Sequence, residues 1–312
     1  MESTKIYVTT LECSSDISGY YRYSDVFQIF SSKRKKSSPS EYFMDIEYNE
    51  KYINSSVFDD GNIMVPMEII KERAHLQLLK EIVSLLCIAM DEKFKICGGI
   101  DDGNIYPQEI ISKFSEIEDR IMIGECESRL RRSMRDNDFV RIAPNAEMFF
   151  RKYFALSCSD RDRYNSSSFL YKISQDVSVI SASLSVVSCV SAVENLMDFD
   201  AKLKNTHFEH CSECSQPRYR LSRRFKDFMM EYSYTSDLKL NENKLLTEIY
   251  SLRSSITHLG NILNIDKYLT LAPLNKFVEI AEIQSYIRHA LFKYLELFTL
   301  GEEAMESPIS NP

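Results

Sequence analysis

The chain has 312 residues, of which 44% are hydrophobic and 27% are charged, and its formal net charge is −8. This length accommodates two domains of ordinary size, and the composition excludes a largely disordered protein. The negative net charge excludes recruitment to nucleic acid by the overall field, so any RNA or DNA site has to be a local basic patch.

Two features of the sequence bear on where the protein works. Its eight cysteines are scattered through the chain and follow no regular framework, and no secretory signal precedes them. This usage is typical of a reducing compartment, and we expect a cytoplasmic protein. The longest apolar run, residues 177–193, carries serines at nearly every second or third position, which predicts a buried helix instead of a membrane span.

Short segments rich in Tyr, Phe, Ile and Val predict a small β-sheet near the N-terminus. They are residues 5–13, 20–30, 41–49 and 62–69. From about residue 68 to Phe94 apolar residues recur at helical spacing, and residues 108–122 predict a second helix. We therefore expect residues 1–165 to form a mixed α/β domain, to which we assign a sensing or regulatory role.

The C-terminal part has the pattern of several amphipathic helices. Apolar spacing predicts helices over residues 174–198, 218–232, 245–259 and 274–300, and Gly260 can end the third of them as a left-handed cap. Serines along the first helix would let a neighbouring helix approach closely. Four helices with short connections indicate an all-α bundle over residues 166–312, so the predicted class of the chain is α+β.

Residues 250–260 read YSLRSSITHLG and place Arg253 five positions before His258. On an ideal helix this separation turns the two side chains about 140° apart, so a core stripe does not explain the pair. If Gly260 ends the helix, His258 lies in its last turn, where the backbone can depart from ideal geometry and the long Arg253 side chain can reach the same group.

The two residue types are suited to proton transfer and to binding an anion. Histidine is the side chain whose ordinary pKa lies near neutrality, so His258 can serve in proton transfer. Arg253 carries a permanent charge on a planar fork that matches phosphate oxygens. A purely structural role stays open as well, with Arg253 paired to Glu194 or Glu248 and His258 acting as a helix-end histidine.

The full phrase Y-x-L-R-S-x-I-x-H-x-G within a predicted bundle resembles the HEPN superfamily, and its wording is closest to the ApeA-like branch. The resemblance covers about residues 170–300. It includes Glu194 on the first long helix and a C-x2-C pair followed by a tyrosine and a basic helix. Ser254 departs from the polar residue, such as asparagine, that many relatives carry there.

The resemblance implies a metal-independent endoribonuclease that cuts cellular RNA, with tRNA as one candidate, in prokaryotic anti-phage defence or a toxin–antitoxin system. Arg253 and His258 would be catalytic, and Glu194, Ser254, Thr257 and Asn261 would support them. It also implies a homodimer in which two such pairs line one cleft, and an antitoxin or defence partner. A non-catalytic module that dimerises or binds RNA or protein is the alternative.

The segment HFEHCSEC supplies enough donors for a tetrahedral zinc site. The candidate ligands are His207, His210, Cys211 and Cys214. Strong zinc motifs join two separated pairs, and this segment holds one. A structural zinc, a loop with reduced thiols and a redox pair therefore all stay open. The catalysis that the resemblance implies needs no cofactor.

A basic cluster follows this segment in an otherwise acidic chain. Its members are Arg218, Arg220, Arg223, Arg224 and Lys226. Local phosphate contact requires a cluster of this kind, and we assign RNA binding to it. An ordinary solvated face, or a partner for acidic residues of the neighbouring helix, is the other interpretation. Tyr219, Phe225 and Phe228 between these residues are expected in the core.

Overall fold

The computed structural model combines an N-terminal antiparallel sheet with a mostly helical C-terminal half, which confirms the predicted α+β class. It describes residues 5–34, 41–54, 67–97, 107–110, 113–117, 122–125, 139–204, 220–233, 239–267 and 274–298. The chain forms two compact units, residues 1–162 with 298–312 and residues 163–297. The boundary between the units falls inside one helix.

Among its described residues, unit 1 is built on a sheet of six short strands. They are β1 (Ile6–Cys13), β2 (Tyr20–Tyr23), β3 (Phe27–Ser31), β4 (Tyr42–Asn49), β5 (Phe94–Ile96) and β6 (Gln108–Ile110). The order is β2-β3-β4-β1-β5, and β6 also pairs with β1. The central strand β1 pairs along its whole length with β4, while β5 and β6 share its other side. All these pairings are antiparallel.

The helices of the described residues are eight α-helices and one short 3₁₀ helix, Glu50–Tyr52. The α-helices are α1 (Met67–Met90), α2 (Ala146–Phe154), α3 (Cys158–Val177), α4 (Ala182–Leu203), α5 (Leu221–Tyr232), α6 (Lys239–Leu259), α7 (Asn264–Lys267) and α8 (Leu274–Leu297). Across this part of the chain, no helix combines the length and the apolar character that crossing a bilayer requires.

Several predicted elements of unit 1 were wrong in type or extent. Residues 20–30 form two strands joined by a turn at Ser24, whose φ of 47° is left-handed, instead of one β segment. The β segment predicted over residues 62–69 is wrong at its last three residues, because α1 begins at Met67. Helix α1 stops at Met90, before a left-handed Asp91, and Phe94 starts β5.

The helix predicted over residues 108–122 is also wrong. Its first three residues form β6, which pairs with the first three residues of β1, and the described residues 113–117 are not helical. The side of β1 that faces away from β4 offers backbone hydrogen bonds to another strand. Helical spacing within residues 108–122 does not reveal that partner. Tertiary pairing therefore overrides the local pattern.

A buried ion pair joins the helices of unit 1. Glu81 of α1 accepts hydrogen bonds from the Tyr153 hydroxyl and from Arg161 Nε. Arg161 Nη2 also donates to the backbone carbonyl of Tyr52 at 2.6 Å. The side chains of Glu81 and Arg161 are only 2% and 9% exposed, so a partner left alone would be a desolvated charge.

Helices α4, α5, α6 and α8 of unit 2 pack against one another. Helix α3 lies beside α8, because the Tyr164 hydroxyl donates to the carbonyl of Leu291 at 2.8 Å. Gln284 of α8 donates at 3.1 Å both to the Ser185 hydroxyl of α4 and to the carbonyl of Ser174. The fully buried Ser185 and Ser174 thus let the helices approach closely, as their size predicts.

The long helix predicted over residues 174–198 is interrupted, and α3 ends at Val177 before α4 begins at Ala182. Asp266 explains the break. Its carboxylate accepts the backbone N–H groups of Ala182 and Ser183 at 2.7 and 2.9 Å and the hydroxyl of Ser181 at 3.0 Å. A remote carboxylate thus caps the start of α4.

Replacing Arg161 with methionine should lower the free energy of unfolding by about 3–5 kcal/mol, because Glu81 would be left buried without its cation. Urea unfolding measures the change. Arg141, an exposed arginine of the same unit, supplies the control through Arg141→Met. Equal stability of the two variants would contradict a structural role for the pair.

Asp266→Ala should destabilise the protein by about 1–2 kcal/mol, as loss of a helix cap does. Burial acts to raise the pKa of Asp266, but hydrogen bonds from Ser183, Ala182 and Ser181 outweigh it and hold the pKa below its usual value. A carboxyl with a lowered folded-state pKa stabilises above its unfolded pKa, and this contribution is lost as pH falls through the folded pKa.

The stability difference between wild type and Asp266→Ala should therefore shrink as pH falls below about 4, the ordinary pKa of an aspartate, and on through the lower folded-state pKa. Urea unfolding at a series of pH values follows it. The exposed Asp227 provides the control, Asp227→Ala, for which we expect a small difference at every pH. A difference for Asp266→Ala that stays constant down to the lowest pH would contradict the assignment.

Candidate functional site

Helices α4 and α6 run antiparallel and carry the candidate site. Glu194 of α4 pairs with Arg253 of α6, and Ser183 near the start of α4 accepts the backbone N–H of Leu263, just after α6, at 2.8 Å. Moving back along α4 therefore corresponds to moving forward along α6. On α6, His258 therefore lies between the Glu194–Arg253 contact and the Ser183–Leu263 contact.

The Glu194 carboxylate is shared by two donors from α6. Its Oε2 accepts from Arg253 Nη2 at 2.6 Å, and its Oε1 accepts from the Tyr250 hydroxyl at 3.0 Å. Tyr250 and Arg253 are three residues apart, a spacing that puts both on the face of α6 directed at α4. The side chains of Glu194 and Arg253 are each 17% exposed, so this ion pair is largely shielded from water.

Tyr250 is a neutral hydrogen-bond donor in this cluster. Burial, together with the charge and hydrogen bond of Glu194, raises the pKa of Tyr250 to about 12, although Arg253 and Arg224 act in the opposite direction. Its ring lies 5.3 Å from the ring of Phe225 on α5, centroid to centroid. The hydroxyl therefore holds Glu194 in place throughout the neutral pH range.

His258 lies in the last turn of α6 with its side chain exposed. Gly260 follows with a φ of 67°, which confirms the predicted left-handed cap. Residues Lys239–Leu259 are α-helical throughout, so the expected distortion of the last turn is not present. Regular helix geometry turns His258 about 140° from Arg253, which faces α4.

The supporting residues lie around the end of α6. The Thr257 hydroxyl donates to the backbone carbonyl of Arg253 at 2.9 Å. The Asn261 amide donates to the Ser255 hydroxyl at 3.1 Å, and its backbone N–H donates to the carbonyl of Ser255. Ser254 is half-buried. Thr257 and Asn261 therefore bond to the last turns of α6 itself.

The basic residues assigned to RNA binding differ in their surroundings. Arg224 donates to Asp198 at 2.7 Å and to the carbonyl of Met197 at 3.1 Å, so it binds α4. Arg223 lies 3.7 Å from Asp227 with two thirds of its side chain exposed. Arg220 is exposed and Lys226 half-buried, whereas Arg218 lies outside the described residues. Phe225 and Phe228 are buried, as expected.

The proposed zinc ligands lie outside the described residues as well. They are His207, His210, Cys211 and Cys214. Within the part of the chain that the structure describes, no group of three or more His, Cys, Asp or Glu side chains is arranged to hold a metal ion. The zinc interpretation therefore stays a prediction.

Exposed apolar side chains gather at the end of unit 2 that also carries His258. They are Val179, Ile180, Leu184, Leu259 and Ile262, which we call the apolar end. Val179 and Ile180 are 81% and 80% exposed, and Leu259 is 73% exposed. Contacts of Ser181 and Ser183 with the segment after α6 place these residues on adjoining segments. Grouped exposed apolar residues are typical of interaction sites.

No family model matches this chain, and neither a curated protein nor a solved structure matches it.

Two residues of this region were not selected from the sequence. Tyr250 stands three positions before Arg253, and the helical rule that pairs such positions would have placed it beside the same partner. Asp266 lies far in sequence from the helix it caps, so no local signal identifies it.

Proposed function

We propose that the helical unit is a HEPN-like endoribonuclease that cleaves RNA without a metal ion. The observation that carries the proposal is that one helix, α6, holds a guanidinium at Arg253 and an exposed imidazole at His258, within the phrase that resembles this superfamily. Arg253 donates to Glu194, which also accepts a hydrogen bond from the Tyr250 hydroxyl.

Each group has a separate task in the proposed reaction. His258 takes the proton from the ribose 2′-hydroxyl or delivers one to the leaving 5′-oxygen. Arg253 neutralises the charge that develops on the phosphorane. The exposed Arg220, just before α5, and Arg223 of α5 would contact the RNA backbone. RNA that lacks the 2′-hydroxyl at the scissile position would not be cut.

A second copy of the chain completes this site in our proposal. The resemblance implies a homodimer in which two Arg253–His258 pairs line one cleft. Within one copy, regular helix geometry turns the two side chains to different sides of α6. The apolar end next to His258 is the surface that a second copy would cover. The proposed partner is therefore another molecule of the same protein.

A non-catalytic dimerisation or binding module is the second candidate. The observation that favours it is the ion pair of Arg253 with Glu194, because this pair gives the arginine a purely structural role in joining α6 to α4. Absence of cleavage together with a retained dimer would select this candidate.

The biological setting that we propose follows from the resemblance alone. The unit would cut cellular RNA, with tRNA as one candidate, in a prokaryotic defence or toxin–antitoxin system. The N-terminal unit would sense the trigger or regulate cleavage, and an antitoxin or accessory chain would be a further partner.

Arg253→Ala and His258→Ala should each lower the rate of RNA cleavage by at least about 100-fold, because each removes a group that acts in the transition state. Incubation with total RNA followed by gel analysis measures the rate. Lys244→Ala is the matched control, since it removes an exposed cation from the same helix and should leave cleavage unchanged. Unchanged cleavage by both site variants would exclude the assignment.

Ile180→Asp and Leu259→Asp should each convert the proposed dimer to a monomer, since a charge in an apolar contact is strongly unfavourable. Size-exclusion chromatography with light scattering measures the mass. Leu297→Asp, which changes an exposed leucine of α8, is the control and should stay dimeric. A wild-type monomer, or dimers in both apolar-end variants, would contradict this surface as the interface.

A further inference from the structure

The Arg253–Glu194 pair uses only part of the guanidinium. Glu194 Oε2 accepts from Nη2, while its other oxygen is taken by the Tyr250 hydroxyl. Arg253 Nε is buried and has no hydrogen-bond partner among the described residues. The contact is therefore single, although arginine and carboxylate groups pair most strongly through two parallel hydrogen bonds.

An unmet buried donor favours an incoming acceptor. A buried N–H without a partner lowers stability, and an anion that reached Arg253 Nε would remove that deficit. Phosphate oxygens suit the fork of Nε and Nη2 because they can accept both hydrogen bonds at once. The present occupant, Glu194, fills only the Nη2 side of this fork.

Glu194 also opposes such a ligand electrostatically. Its carboxylate lies 2.6 Å from the nitrogen that a phosphate would approach, in a cluster with little exposure to water. Two anions beside one guanidinium repel each other, and weak solvent screening strengthens that repulsion. Arg253 therefore has to leave Glu194, at least in part, before it can bind a phosphate.

Tyr250 makes this separation feasible. Its hydroxyl donates to Glu194 independently of Arg253, so the carboxylate keeps one donor when the guanidinium turns away. Tyr250 stays neutral well above physiological pH and keeps its proton for this bond. The cluster therefore has a bonded arrangement for Glu194 both with and without Arg253.

We propose that Glu194 is an autoinhibitory partner of Arg253, whose carboxylate occupies part of the guanidinium fork that an RNA phosphate must take. This inference rests on the proposed function, because it takes RNA as the ligand of Arg253. Binding of RNA then exchanges a carboxylate for a phosphate at one guanidinium. A positioning role, in which Glu194 holds Arg253 ready for RNA, makes the opposite prediction.

The test measures binding of a fluorescein-labelled, mixed-sequence single-stranded RNA by anisotropy, in a His258→Ala background that removes the proposed proton-transfer group. Adding Glu194→Gln, which keeps the shape but removes the charge, should tighten binding about tenfold. Adding Arg253→Ala as well should abolish that gain. Glu248→Gln is the control. It removes an exposed negative charge from α6, the helix that carries Arg253, and should leave the affinity nearly unchanged.

Tyr250→Phe gives a second arm with the opposite sign. Without the hydroxyl, Glu194 depends on Arg253 alone, so RNA binding should weaken by about threefold. Melting temperatures near that of the background protein establish that the variants are folded. Weaker or unchanged binding by Glu194→Gln, or a gain that persists without Arg253, overturns the autoinhibitory role.

The two proposals fail separately. Tighter binding by Glu194→Gln with no cleavage by the wild-type protein would overturn the nuclease and leave the Glu194 contact standing. Cleavage that is lost in Arg253→Ala and His258→Ala, with no gain in affinity from Glu194→Gln, would overturn the contact and leave the nuclease standing.

Discussion

The Glu194 carboxylate, held between the Tyr250 hydroxyl and the Arg253 guanidinium, is the contact on which the geometry of the candidate site depends. It joins α4 to α6 midway along both helices, and Asp266 of α7 joins the segment after α6 to the start of α4. The Glu194 contact therefore sets the register of α6 against α4, and the Asp266 cap holds the following segment on the same helix. That register directs Arg253 inward and leaves His258 exposed beside the apolar end.

Acidic partners also shape how the helical unit can meet RNA. Arg224 is paired with Asp198, Arg223 lies beside Asp227, and Lys204 contacts both Asp200 and Glu231. In a chain with a net charge of −8, phosphate contact by such a cation means exchange of one anion for another. Exchange of partners makes binding sensitive to salt and to the neighbouring carboxylates. The same reasoning applies to Arg253, because both side chains of its ion pair with Glu194 are largely shielded from water.

Local patterns predicted much of the helical half. The amphipathic spacing of α5, α6 and α8 and the glycine after α6 identify their own elements, because each signal acts within a few residues. The pairing of β6 with β1 was missed because it depends on a strand remote in sequence. The start of α4 combines the remote Asp266 with a local cap, in which the Ser181 hydroxyl accepts the Leu184 N–H, and the apolar spacing across residues 174–198 obscured that local signal. Tyr250 lay within reach of helix periodicity, whereas the choice of Glu194 over Glu248 for Arg253 required the packing of α4 on α6.

The most direct measurement is the chemistry of the RNA ends after incubation with the protein in excess EDTA. A 2′-hydroxyl attack assisted by His258 forms a 2′,3′-cyclic phosphate and a free 5′-hydroxyl, and it needs no metal ion. We expect these ends with the wild-type protein and their loss in His258→Ala. Cleavage that EDTA abolishes, or products that carry a 3′-hydroxyl, would contradict the proposed mechanism.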